Sequence, residues 1–253
     1  MLFLRATIVL LTVTAFTAIA APLIDTPRVA IIIDDLGYEL LAGKRALALP
    51  GPVACAILPL TPHAKRLAAD AHAGDKEVLL HLPLQAEESQ GPVEPGGLLL
   101  DMSHSQFIAG FDKNLAAVPH AIGVNSHRGS MLTRHPGHMS WLMEAIGRRG
   151  DLFFVDSYTT PASVALAAAL EAGIPATRRD VFLDSDRSPD TLAREFARLK
   201  QLARETGFAI GIGHPYPATL EFLERELPKL GEEGVELISI SDMVALRNEV
   251  TAE

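Results

Sequence analysis

The 253 residues contain a single cysteine, Cys55. That excludes an internal disulfide and a cysteine-ligated zinc site, so any metal must be held by histidine and carboxylate. Basic residues are also in short supply: 22 Lys and Arg stand against 31 Asp and Glu, a formal charge of −9, and no run of five basic residues occurs. Nucleic acid is excluded as a partner on that ground, because phosphate binding depends on clustered cations. Beyond residue 28 no apolar stretch reaches the roughly 20 residues of a membrane-spanning helix, and no internal repeat or low-complexity tract is present. What remains is an ordinary globular composition, with 48% apolar residues, 21% charged residues, 19 Gly and 17 Pro. Such a composition excludes disorder, collagen and coiled coil, and its length fits one large α/β barrel.

Residues 1–20 differ from the rest. One basic residue, Arg5, precedes an apolar stretch interrupted only by threonine and closing on Ala18-Ile19-Ala20. This is the outline of a secretory signal cut after Ala20, leaving one domain over residues 21–253; the alternative is an uncleaved anchor. Export with one cysteine points to a bacterial periplasm, where the fold must hold without disulfides and without stable membrane insertion.

From Val29 onward, short apolar runs of strand character alternate with segments of helical period. Strands are expected at 29–33, 53–57, 77–81, 121–124, 152–155, 175–178, 209–212 and 236–240, and helices at 40–47, 64–73, 105–117, 139–149, 163–172, 189–206 and 218–230. Strand ends recur about every 30 residues, the size of one βα unit. The expected fold is therefore a single irregular (β/α) barrel of seven to eight parallel strands. The interval from His81 to Val124 is too long for a plain connection and reads as a functional loop over one end of the sheet.

Polar groups follow the strands repeatedly: Asp34-Asp35 after the first, His81 closing the third, Asn125 to Ser130 after the fourth, Asp156-Ser157 after the fifth, Arg178-Arg179-Asp180 at the sixth and Gly213-His214 after the seventh. In a parallel barrel all these ends lie on one face, where such folds place their chemistry. Each aspartate could singly be a helix cap, but six strand ends carrying Asp, His, Asn and Arg point to a site. Adjacent carboxylates repel, so one binds a cation or has a raised pKa while the other is left as a base. Asp35, His81 and His127 form an Asp/His/His set with room for water, a common open zinc arrangement. For His81, flanked by apolar residues, the competing reading is a core histidine. His214, between Gly213 and Pro215, suits a general acid. His135 and His138 read as solvated, and His63, His72, His104 and His120 receive no role.

The segments Ala30-Ile31-Ile32-Ile33-Asp34-Asp35-Leu36-Gly37, Leu80-His81-Leu82-Pro83-Leu84, Gly123-Val124-Asn125-Ser126-His127-Arg128-Gly129-Ser130, Phe154-Val155-Asp156-Ser157 and Ile212-Gly213-His214-Pro215 occur in this order. Together they resemble the divergent polysaccharide deacetylase (YibQ-like) family, similar to the carbohydrate esterase family 4 deacetylases, over roughly residues 28–246. The resemblance implies an irregular β/α barrel, a divalent metal on one Asp and two His, a neighbouring Asp as base and a late His as acid. By position, Asp34 resembles the base, Asp35 the metal-binding aspartate and His214 the acid. Ordinary members carry their two metal histidines four residues apart, whereas Gln85 stands four after His81; His127 is taken as the second histidine. Asn125, Arg128, Ser130, Asp156 and Arg178 are expected to bind substrate.

Three functions compete at this stage. The first is a metal-dependent hydrolase, most simply a zinc enzyme, that deacetylates an N-acetylated envelope glycan. The second is a barrel that has lost turnover and serves as a glycan-binding or envelope-assembly factor, a reading supported by Gln85. The third is a glycosidase using Asp34 and Asp156, whose carboxylate separation would decide it.

Overall fold

The computed structural model describes residues 26–87 and 94–252. The expected signal segment therefore lies outside the described residues, and among these no helix is long and apolar enough to cross a membrane.

Among the described residues, nine parallel strands form one sheet: β1 (Arg28–Leu36), β2 (Ala54–Ile57), β3 (Val78–Leu84), β4 (Ala121–Arg128), β5 (Phe153–Asp156), β6 (Ala176–Arg178), β7 (Val181–Phe182), β8 (Phe208–Gly213) and β9 (Glu236–Leu237). The order across the sheet is β6-β5-β4-β3-β2-β1-β8-β7, with β9 paired to the start of β1. Helices α1 (Leu40–Leu47), α2 (Ala64–Ala73), α3 (His104–Ala117), α4 (Pro136–Gly147), α5 (Ala165–Glu171), α6 (Pro189–Thr206) and α7 (Pro217–Glu226) join the strands, and α8 (Ile240–Ala252) closes the chain. The result is the expected irregular β/α barrel, left open among the described residues between β6 and β7.

The strands alternate between two environments, as the two-residue strand period requires. Val29, Ile31 and Ile33 of β1 pack outward in the core formed with the helices. Ala30 and Ile32 face inward with Ala54, Ala56, Leu79, Val155, Ile210 and Ile212. The inner cluster is completed by Ile240, Met243 and Val244 of α8, which therefore plugs one end of the barrel. Glu77 holds α8 in place by accepting the Ile240 and Ser241 backbone N–H groups at 2.9 and 3.2 Å. Across the open seam, Arg247 of α8 donates to Thr177 Oγ1 at 3.0 Å and to the Arg178 carbonyl at 3.1 Å, and pairs with Asp180.

The structure departs from the sequence expectation at the C-terminal end. The strand expected over 236–240 is only two residues long, and Ile240 already opens α8. This helix escaped notice because 240–252 mixes apolar and polar residues with little amphipathic bias. The two-residue β7 was also missed, being too short for any periodicity. The expected 105–117 helix is α3, started by a reciprocal cap in which Ser103 Oγ accepts the Gln106 N–H and Gln106 accepts the Ser103 N–H.

Candidate active site

At the carboxyl end of the barrel the inward-facing positions change from apolar to polar. Continuing the alternation that buries Ala30 and Ile32 places Asp34 inside; Leu79 leads in the same way to His81, Gly123 to Asn125 and His127, and Ile212 to His214. Asp35 would by the same rule face outward. It does not, because its backbone takes a left-handed φ of +58° where the β1–β2 register slips between Ile33 and Leu36. Aspartate tolerates that conformation better than most residues, and the irregularity brings two sequential carboxylates to one site.

Three atoms converge there. Asp35 Oδ1 lies 3.1 Å from His81 Nε2 and 2.9 Å from His127 Nδ1, and the two imidazole nitrogens are 3.0 Å apart. Behind them, Asn125 is fully buried. Its Nδ2 donates to Asp34 Oδ1 at 2.7 Å, so its Oδ1 faces His81 Nδ1 at 2.9 Å as an acceptor. His81 must therefore carry a proton on Nδ1, so that in the neutral ring it is the Nε2 lone pair that is aimed at Asp35 and His127. With His127 Nδ1 likewise unprotonated, two imidazole lone pairs and a carboxylate oxygen meet and a cation among them would relieve their repulsion; with no metal bound, the rings can instead donate hydrogen bonds to Asp35. Ligand atoms about 2.0 to 2.1 Å from a tetrahedral zinc ion stand roughly 3.4 Å apart, within a few tenths of an ångström of the spacing here. His127 Nε2, buried and without a partner among the described residues, leaves that ring held only through the face it turns to the cluster. Donor type, spacing and tautomer thus fit a divalent metal on Asp35, His81 and His127, a set offering three of the four positions of an open site.

The two aspartates are driven apart electrostatically. Burial raises the Asp34 pKa, outweighing His81, His214 and the Asn125 hydrogen bond, while the Asp35 charge adds to the rise. For Asp35 burial acts in the same direction, but hydrogen bonds from His127 and His81 overcome it and hold the carboxyl below the usual range. One carboxylate is thus poised to take up a proton and the other to remain a ligand. On the far side, His214 Nε2 is 3.9 Å from Asp35 Oδ2. Its Nδ1 meets Asp184 Oδ1 at 2.8 Å, while Asp184 Oδ2 accepts the His214 N–H at 2.7 Å and the Thr219 hydroxyl at 2.8 Å. Burial alone would lower the His214 pKa, but the hydrogen bond and charge of Asp184, with Asp34 and Asp35, push it up to about 9.

Not every residue expected at the site is brought to it. Asn125 is not a substrate contact, since it is enclosed between His81 and Asp34. Asp156 lies on the outward face of β5, its oxygens taken by the Ser163 hydroxyl at 2.7 Å and the Tyr158 N–H at 2.9 Å. That placement leaves the glycosidase pairing of Asp34 and Asp156 without support. Arg178 is exposed, its guanidinium 4.7 Å above the Tyr158 ring. Arg128 stands exposed at the cleft rim, 3.6 Å from Glu94, and Ser130 Oγ accepts the Glu87 N–H at 3.1 Å. His138 is half-buried rather than solvated, against Phe107 and Trp141 with Nε2 3.2 Å from the Leu100 carbonyl. Gln85 accepts the Leu100 N–H at 2.8 Å, bracing the segment after β3.

Sequence reading missed Asp184, whose only signal was a carboxylate directly after Val181-Phe182-Leu183. Arg179, read from the sequence among the polar groups at the sixth strand end, is half-buried, donates to the Ser157 and Tyr158 carbonyls at 2.8 and 2.9 Å and lies 3.7 Å over the Phe182 ring. Phe182, Tyr216 and Arg187 flank His214 in a hollow of about 330 Å³, with Arg187 3.6 Å over the Tyr216 ring. On the other flank, next to His127, lies a second cavity of about 270 Å³.

Fold and site together define a β/α barrel with a His/His/Asp set that could hold a metal ion at the carboxyl ends of its strands. Residues 31–244 match the family described as divergent polysaccharide deacetylase, and the chain belongs to that family. Over 211 residues it is 36% identical to the uncharacterized protein YibQ of Escherichia coli, covering 83% of this chain but 65% of the relative's length, less than two thirds of it. Among solved structures it is similar to the uncharacterized protein ATU2773 of Agrobacterium tumefaciens, with TM-score 0.82 and 24% identity over 86% of this chain and 89% of that one. The peptidoglycan deacetylase PdaC of Bacillus subtilis shares the fold, with TM-score 0.54 and 12% identity over 90% and 96% of the two chains.

Proposed function

We propose that this protein is an exported, metal-dependent hydrolase that removes acetyl groups from an N-acetylated glycan of the cell envelope. The observation that carries the reading is the convergence of Asp35, His81 and His127 beside a base, Asp34, and an acid, His214, backed by the buried Asp184. Zinc or another divalent ion held by that set would polarise the amide carbonyl and acidify a water. Asp34, with its raised pKa, is suited to take the proton of the attacking water and to hold it while the carbon centre becomes tetrahedral. His214, protonated at neutral pH and held in orientation by Asp184, gives a proton to the departing amine nitrogen. Asn125 keeps His81 in the tautomer that binds metal. The reading of a non-catalytic glycan-binding barrel drew on Gln85; that residue braces a loop, and the proximity of His127 to Asp35 and His81 favours the hydrolase.

The test is metal analysis of the purified protein with assay of acetate release from N-acetylglucosamine oligomers and from peptidoglycan. Stoichiometric metal, lost in Asp35→Ala, and acetate release abolished by Asp34→Asn are expected. Full metal with no acetate released from any such glycan would reject the hydrolase and favour a binding role.

A further inference from the structure

The two hollows that flank the metal-ligating set differ in chemistry, and the reaction assigns them different parts of the substrate. Across the sheet, the order β4-β3-β2-β1-β8-β7 places Asp34 and Asp35 of β1 between them. The hollow at the ends of β7 and β8 is aromatic and charged, built from Phe182, Tyr216 and Arg187 around His214. Because His214 is the group that protonates the departing nitrogen, the amine-bearing sugar belongs on this flank, where ring faces suit a sugar's C–H surface. The acyl half of the amide must then extend the other way, past His127.

There the cavity of about 270 Å³ has a floor of Pro83, Leu84, Ala86, Leu99 and Leu100. Among the described residues no aromatic ring lines it beyond the His127 imidazole. Its polar members largely answer one another: Glu94 accepts the Tyr38 hydroxyl at 2.9 Å and faces Arg128 at 3.6 Å, and Gln85 is committed to the Leu100 N–H. Asp101 is exposed at the rim. A water-sized group takes about 30 Å³, so the cavity has room for about nine of them, whereas the methyl of an acetyl group needs one.

We propose that this cavity is an acyl-chain site, and that besides acetyl the protein takes amides carrying chains of up to about six to eight carbons. The inference rests on the hydrolase reading above and deepens it. Water adds to the acyl carbonyl carbon, the C–N bond breaks, the nitrogen receives a proton from His214, and the products are the fatty carboxylate and the free amino sugar. Each methylene placed in an aliphatic pocket favours binding about fourfold, and chain length thus becomes the determinant of specificity.

The experiment uses the full chain loaded with Zn2+ and a series of glucosamine derivatives N-acylated with acetyl, butyryl, hexanoyl and octanoyl groups. Expected is a rise in kcat/KM of at least about tenfold from acetyl to hexanoyl. Ala86→Trp, a half-buried lining position whose new side chain occupies the cavity, should lower the octanoyl-to-acetyl ratio at least about tenfold. Calorimetric titration with octanoate and with acetate supplies a readout independent of turnover, with octanoate binding more tightly and Ala86→Trp removing the difference. Hydrolysis that is fastest with acetyl and falls with length overturns the acyl site and leaves the deacetylase intact. Octanoate binding sensitive to Ala86→Trp without hydrolysis of any member supports the acyl site and overturns the hydrolase. Neither hydrolysis nor preferential octanoate binding overturns both.

Discussion

Replacing Asn125 by alanine isolates the connection between the base and the metal ligands. The carboxamide is wholly buried and spans two functional groups, donating to Asp34 Oδ1 at 2.7 Å and accepting from His81 Nδ1 at 2.9 Å. Without it, nothing requires the His81 proton to reside on Nδ1; a proton on Nε2, 3.1 Å from Asp35 Oδ1, forms a hydrogen bond there and blocks the metal. Loss of such an outer partner weakens metal binding about 10- to 100-fold, equivalent to about 1.4 to 2.7 kcal/mol. A buried donor on His81 and a buried acceptor on Asp34 also lose their partners, so unfolding of the metal-free protein should become easier by about 1 to 3 kcal/mol. Chelator competition for Zn2+ at pH 7.5 measures the first effect, and urea unfolding in EDTA the second. Asn125→Asp separates them. It keeps an acceptor for His81, so metal should be largely retained, but it sets a second carboxylate against Asp34 and should abolish turnover by fixing a proton between the two. Wild-type zinc affinity in Asn125→Ala would refute the reasoning, because His81 would then hold its metal-binding tautomer unaided.

Asp184→Asn should move the basic limb of the kcat pH profile downward by at least one unit. The mutation removes the charge that raises His214 to about 9, and the acid form is then lost at lower pH. The same raised pKa contributes stability that is fully present below the ordinary value of 6.5 and disappears as pH rises through about 9; thermal melts across that window should show the wild-type trend, flattened in the variant. Gly37→Ala should destabilise by about 1 to 3 kcal/mol in denaturant melts, because φ is +133° there and a Cβ would lie 2.1 Å from Thr61 Oγ1. A melting point unchanged by that variant would mean the turn after Asp35 relaxes freely. Deletion of residues 1–20 should leave a protein recovered in the soluble fraction, and membrane association that persists after the deletion would argue against a cleaved leader.

Much of the barrel could be read along the chain because strand and helix periods are local properties, and parallel strands buried on both faces announce themselves as apolar runs. The placement of Asp34, His81 and His214 at the ends of such runs followed from the same periodicity, whereas His127, expected in a loop after a strand ending at Val124, lies within β4, which runs on to Arg128. Asp156 shows where that reasoning needs parity as well as place. It too ends a strand, but on the phase occupied by Phe154, which packs outward, so its carboxylate turns to Ser163 and Tyr158 instead of the cleft. For Asp35 parity alone would have misled in the other direction, since its inward aim depends on a left-handed residue and a register slip that no periodicity encodes.

Other features depend on contacts between segments distant in the chain. Asn125 and Asp34 are 91 residues apart, and the amide between base and ligand exists only once β4 and β1 line one cavity. Asp184 follows a two-residue strand and acquires its partner His214, 30 residues later, because β7 pairs beside β8. Helix α8 has little amphipathic bias, and its site at the end of the barrel is set by the apolar opening that it fills and by the Glu77 carboxylate that holds its first turn. Composition and period thus determined by themselves that the chain is a parallel β/α barrel with polar strand ends. That the Asp34 pKa is raised while that of Asp35 is lowered, and that Asp184 meets His214, was decided only by tertiary structure, because the proton affinity of a carboxylate depends on burial and on neighbours brought from elsewhere in the chain.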